Sequence, residues 1–195
     1  MEHNLPDIVA SIKRNYADLT TECEQDLIAC CKLLRVEKNT TLVKEGQYAD
    51  KTYFIVKGAA RAYYLKDGRE ITDWFAFEDA FITSVNSFFL NIPSPYYIEL
   101  LESAVIVEIA RNAMLELCDK HHSFDRLCRI IVTRTMLQLQ QRVVSIQFES
   151  AQQKLDNLMA IRPDITNRVP LGHIASYLGI TLETLSRIRH PKKRI

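Results

Sequence analysis

The chain has 195 residues, of which 47% are hydrophobic and 25% charged, and a net charge of +1. This is the composition of a soluble folded protein, and no apolar run approaches the ~20 residues of a membrane helix. The opening residues Met1-Glu2-His3-Asn4-Leu5-Pro6 lack the character of a signal peptide, so a cytoplasmic protein is expected. The charge is uneven: seven basic and two acidic residues from Arg162 to Ile195 leave +5 there and −4 on the rest. A basic end on a mildly acidic body suits contact with nucleic acid.

In chain order, Leu5 to about Arg35 reads as helical. Thr21 and Glu24 form a capping box, and Cys23, Leu27, Cys30 and Leu34 follow at helical spacing. From Thr40 the period changes. Short aromatic and β-branched runs at 41–43, 53–56, 60–65, 70–75, 96–101 and 104–109 are punctuated by Gly46, Gly58 and the Asp67-Gly68 turn. Many short strands with frequent turns predict a small antiparallel sandwich or barrel. Asn112 to about Gln147 then predicts one long helix. One apolar line holds Cys128, Val132, Met136, Leu139, Val143 and Ile146, and a second holds Ile130, Leu137 and Val144. One face can cover the strands. The other, with Val132, Met136, Leu139 and Val143, is available to the same helix of a second copy.

Ile146-Gln147-Phe148 reads as a hinge, and Glu149 to Met159 as a further helix ended by Arg162-Pro163. Val169 is placed in a short strand. Leu171, Ile174, Ala175 and Leu178 then share a helical face, and Gly179 is suited to a left-handed helix end. Thr181 caps a second helix in which Leu182, Leu185 and Ile188 point inward. Glu183, Arg187 and His190 line its outer face, flanked by Thr184 and Ser186. Two short helices around a glycine turn predict a helix-turn-helix whose second helix enters the DNA major groove. Arg187 is expected to read guanine and Glu183 cytosine.

The landmarks Lys44-Glu45-Gly46, Tyr53-Phe54-Ile55-Val56-Lys57-Gly58 and Asp67-Gly68-Arg69-Glu70 resemble those of the cyclic-nucleotide-binding β-roll. With the helix-turn-helix, the chain resembles a Crp/Fnr-family transcription regulator over about residues 20–190. The resemblance implies an α+β fold: a jelly-roll-like sensor domain (a double-stranded β-helix) at 1–112, a dimerisation helix at 113–147, and a DNA-binding domain at 148–195. It implies a homodimer on a palindromic double-stranded DNA site, with RNA polymerase as a further partner. A ligand-binding or interaction module that no longer reads DNA is the alternative.

The family binds cyclic nucleotides through a Gly-Glu pair for ribose and an Arg followed by Ser or Thr for phosphate. Here Thr83-Ser84 stand at the first place and Ser94-Pro95 near the second, and no Arg or Lys occurs between Arg69 and Arg111. The expected effector pocket is Phe81, Ser84, Ser87, Phe88, Ser94 and Tyr96, suited to an uncharged or aromatic ligand and not to cyclic AMP. Five cysteines without Cys-x-x-Cys spacing predict buried thiols, with no disulfide framework, iron–sulfur cluster or zinc site. No metal, cofactor or catalytic constellation is predicted.

Overall fold

In the computed structural model, which describes residues 3–189, two helices open the chain. α1 (Leu5–Asn15) is capped by Asn4, whose side chain accepts from the Asp7 amide (2.9 Å). α2 (Thr21–Cys30) is capped by Thr20, one residue before the predicted cap. The expected helical run to Arg35 is thus broken. Cys31 is extended, and Lys32–Val36 form strand β1, with Leu33 opposite Val107 and Leu34 opposite Ile106. Local helical pattern loses here to ladder hydrogen bonds supplied by β8, far along the chain.

The strands are β2 (Thr41–Val43), β3 (Lys51–Lys57), β4 (Ala60–Lys66), β5 (Arg69–Ala76), β6 (Phe81–Thr83), β7 (Tyr97–Leu100) and β8 (Ala104–Ala110). They form two four-stranded antiparallel sheets, ordered β1-β8-β3-β6 and β2-β7-β4-β5. β1 and β6 were not anticipated from the sequence; both are short and draw their pairing from distant strands. The β4–β5 hairpin turns at Asp67 (φ 52°) and Gly68 (φ 72°), the left-handed pair that a two-residue turn requires. Between the sheets pack Tyr53, Ile55, Ala62, Ile82, Ile98 and Ile106. Alternation sends Phe54, Val107 and Ile109 to the other face of the first sheet, where Ile12, Leu27, Leu117, Phe124 and Leu127 cover them. β3 is therefore buried on both sides, which explains its continuous apolar run.

The predicted single helix after the strands is two: α4 (Arg111–Lys120) and α5 (His122–Phe148). The break is at His121, extended at φ −126°, ψ 107°, whose Nε2 lies 2.7 Å from Asp26 Oδ2 on α2. No proline or glycine marks it; a tertiary contact does. α5 buries Phe124 and Leu127, then emerges, and from Val132 to Phe148 its apolar side chains are exposed. The helix continues through the predicted hinge at 146–148 and ends at Phe148, because Ser150 caps the next helix in a capping box with Gln153.

α6 (Ala151–Ile161) ends at Arg162, before Pro163. The one-turn α7 (Ile165–Arg168) follows, and Val169 is its buried, extended cap rather than part of a strand. Its amide is taken by Ile165 of its own turn, so no strand partner is engaged. α8 (Leu171–Leu178) ends at Gly179 with φ +67°, and the Ile180 amide bonds back to the Ala175 carbonyl (3.0 Å). α9 (Leu182–Arg189) begins where Thr181 Oγ1 accepts from the Thr184 amide (3.1 Å). Leu155, Ile165, Val169, Ile174, Leu178 and Leu185 form a third core that also takes in Ala59, Phe77 and Leu101 from the connections at the ends of β4, β5 and β7. α8 lies against β5.

Candidate functional site

α9 presents Glu183, Ser186 and Arg187 to solvent, with Thr184 half-buried beside them. The Glu183 carboxyl is held below its usual range by its own backbone amide and the Thr181 hydroxyl. Leu185 anchors the helix at 0% exposure and Ile188 is half-buried, whereas Leu182, expected inward, is 49% exposed. His190 lies outside the described residues.

A cavity of about 340 Å³ opens between the strands, the short helix α3 (Val85–Leu90) and α5. Phe81, Phe88 and Tyr96 line it as expected, joined by Trp74, Phe89, Val132, Met136 and Leu139. Ser84, Ser87 and Ser94 do not. All three are buried, and their hydroxyls are spent on the fold. Ser84 donates to Ser94 (2.8 Å), Ser94 donates to the Tyr96 carbonyl (2.7 Å), and Ser87 accepts from the Ala49 amide (2.6 Å). The Tyr96 hydroxyl accepts from the Val85 amide (2.9 Å) and donates to the Thr83 carbonyl (3.2 Å). Burial pushes its pKa up. A serine pattern in a sequence cannot distinguish a ligand-facing hydroxyl from one that closes a loop.

Asp73 is the one charged residue among those lining the cavity. Arg61 is not available to it: the residue is 1% exposed and fully engaged. Its guanidinium pairs with Glu70 and with Glu99 (2.6 Å), reaches Thr72 Oγ1 (3.4 Å), and stacks 4.1 Å from the Tyr63 ring centroid. An unneutralised cyclic phosphate in such walls is strongly disfavoured. Calorimetric titration with cyclic AMP or cyclic GMP is expected to show no saturable binding at low micromolar concentration. Saturable binding there, abolished by Arg61→Ala or Arg69→Ala, would refute this.

The junction between the strands and α6–α9 was not foreseen. Arg168 Nη2 donates to Glu78 Oε1 (2.6 Å) and Glu102 Oε2 (2.9 Å), and Arg162 donates to Glu78 (2.9 Å). Burial pushes the Glu78 carboxyl up, but Arg168, the amides of Glu78 and Gly58, and Arg162 outweigh it and hold the pKa at about 2. At α8, Arg61 Nη1 donates to His173 Nδ1 (2.7 Å), and Ser176 Oγ accepts from the Thr72 amide (2.9 Å). Arg142 of α5 donates to the Tyr177 carbonyl (3.1 Å) and the Thr72 carbonyl (3.2 Å). The sequence did carry a signal for Arg61: a cation inside the apolar strand run Ala60-Arg61-Ala62-Tyr63 needs buried partners.

The five cysteines are free; Cys23 and Cys31 are buried, and Cys30, Cys118 and Cys128 half-buried. Cys118 and Cys128 have their sulfurs 3.7 Å apart, well beyond the ~2.05 Å of a disulfide. Burial pushes both thiols up, which leaves them poor nucleophiles.

Residues 33–121 match the family model of the cyclic nucleotide-binding domain. A comparison with curated protein sequences finds no match. Among solved structures the chain is similar to FixK2 from Bradyrhizobium japonicum, at 16% identity and a TM-score of 0.70 over 82% of each chain. It is similar to CLP, the c-di-GMP-responsive global regulator of Xanthomonas campestris, at 14% identity and a TM-score of 0.66 over 87% of this chain and 89% of that one. A Eubacterium rectale protein described as a transcriptional regulator of the crp/fnr family matches at 17% identity and a TM-score of 0.68, over 90% and 83% of the two chains. Residues 33–121 thus match the cyclic nucleotide-binding domain, in a chain whose fold is similar to that of the Crp/Fnr-type regulators.

Proposed function

We propose that this protein is a dimeric, sequence-specific DNA-binding transcription regulator, without catalytic activity. The observation that carries the reading is the exposed polar face of α9, with Glu183, Ser186 and Arg187 raised on a helix–glycine turn–helix unit. In such a unit the second helix enters the major groove and its polar residues meet base edges. Similarity to solved regulators of this fold supports it. The domain division at 1–112, 113–147 and 148–195 is retained, with the bend moved to Glu149-Ser150. Dimerisation is assigned to α5, where Val132, Met136, Leu139 and Val143 are 42–59% exposed. Apolar side chains repeating along one exposed helix are what a second helix covers. Among the described residues no helix is long and apolar enough to cross a membrane.

Selection of bound sequences from a random duplex pool tests the reading. The expected result is an enriched palindrome whose binding weakens steeply with salt. No enrichment would leave an interaction module instead. On the selected site, Arg187→Ala is expected to cost about 1–3 kcal/mol and to relax preference at one position per half-site. Unchanged affinity and preference, measured by fluorescence anisotropy, would mean that α9 is not oriented as proposed.

A further inference from the structure

We propose that the contact between Arg61 of β4 and His173 of α8 is an acid-released latch that holds the α8–α9 unit against the β-roll. The geometry sets the protonation state. A guanidinium only donates hydrogen bonds, so a ring nitrogen 2.7 Å from Arg61 Nη1 must be the acceptor. Nδ1 of His173 is therefore bare, and the imidazole is neutral with its proton on Nε2. Adding a proton to Nδ1 removes the acceptor and sets two cations in contact.

The charged groups bearing on His173 are Arg61 from β4, Glu70 from β5 and Glu99 from β7; neither α6 nor α9 contributes one among the described residues. Burial and Arg61 lower the imidazole pKa, and the two carboxylates pull it back only in part. Both carboxylates already serve Arg61, which limits what they offer a second cation.

The latch acts on one edge of the junction. Beside it the Thr72 amide of β5 donates to Ser176 Oγ of α8, and Ser176 Oγ donates to the Glu70 carbonyl (3.0 Å). Arg142 of α5 caps the same corner through the Thr72 and Tyr177 carbonyls. The other edge is different in kind. There Arg168 is held by Glu78 and Glu102, and Glu78 titrates at about 2. That clamp stays closed throughout the range in which an imidazole titrates. Acid thus frees α8 from β5 while α7 remains attached, and the unit pivots rather than detaches.

The sign follows from the direction of the shift. A released imidazole titrates near ~6.5, and the docked one lower. Docking is complete above about pH 6.5. Below it the docking equilibrium weakens by up to about tenfold per pH unit, until the docked imidazole also protonates. The latch stands on the docking geometry; only its consequence for DNA affinity rests on the regulatory reading above.

Hydrogen exchange of the Thr72 amide reads the latch without DNA, because its partner is on α8. In the full-length wild-type chain, protection corrected for intrinsic exchange is expected to be constant from pH 7.5 to 6.5 and to fall severalfold by pH 5. His173→Gln keeps an acceptor for Arg61 but cannot titrate, and its Thr72 protection is expected to stay flat. Wild-type protection that does not change with pH, or a pH dependence that survives in His173→Gln, would overturn the proposal. If His173→Gln does not fold, an NMR titration of His173 in the wild type decides: an imidazole pKa at or above ~6.5 overturns the latch, and one below it supports it. A latch that follows pH in a protein that never binds DNA would retain the device and remove the regulatory reading.

Discussion

Leu139→Glu is expected to convert the protein to a monomer and to abolish tight binding to a palindromic site. Leu139 is 42% exposed on α5, in line with Val132, Met136 and Val143, so the variant keeps its folded subunit while placing a charge in the seam and at the edge of the cavity. A carboxylate in that seam would be buried opposite its own copy, at the cost of desolvating two like charges. Two half-sites about 34–36 Å apart need two linked readers. Without the link, the second reader loses its effective concentration, and affinity falls on the order of 10²–10⁴-fold. Sedimentation velocity at micromolar concentration, with circular dichroism to confirm the fold, checks this. A wild-type chain that sediments as a monomer, or a Leu139→Glu variant that stays dimeric, would remove the assignment.

The largest stability effect is expected at Arg61. Its side chain is 2% exposed and is shared by Glu99, Glu70, Thr72 and His173, with Tyr63 beneath it. Arg61→Ala strands the 19%-exposed Glu99 carboxylate and leaves His173 without its donor. Glu70 is 44% exposed and recovers its charge in water. Removing one partner of a buried ion pair costs about 3–5 kcal/mol, which for a chain of this size lowers Tm by roughly 6–20 °C. Arg61→Met combined with Glu99→Met is expected to recover most of that loss, because no charge is then left unpaired. Thermal unfolding of the single and double variants checks this. A double variant as unstable as Arg61→Ala would show that the unpaired charge does not set the cost.

Much of the architecture was legible in the sequence because it rests on local rules. Alternating β-branched and aromatic runs gave β2 to β5, β7 and β8, and Asp67-Gly68 marked a hairpin that few residue pairs can form. Gly179 and Thr181 set the helix ends around the C-terminal turn, since one tolerates φ +67° and the other offers a hydroxyl to a free amide. The apolar lines of α5 were equally visible, being a matter of helical period alone.

The sequence by itself therefore determined the element types wherever backbone dihedral preference or side-chain period decides them. Tertiary structure alone decided what depends on partners far along the chain. Lys32–Val36 has helical neighbours before it, yet becomes a strand because β8 offers it a ladder. The helix after β8 breaks at His121 because Asp26 lies within hydrogen-bond reach. Ser84, Ser87 and Ser94 look like ligand donors in order, and only their positions show that they satisfy each other, Tyr96 and Ala49 instead. The union of β-roll and C-terminal helices depends on Arg61 meeting His173, 112 residues away, and Arg168 meeting Glu78, 90 residues away. Buried charges are stable only when paired, and no spacing rule specifies which distant residue will supply the pair.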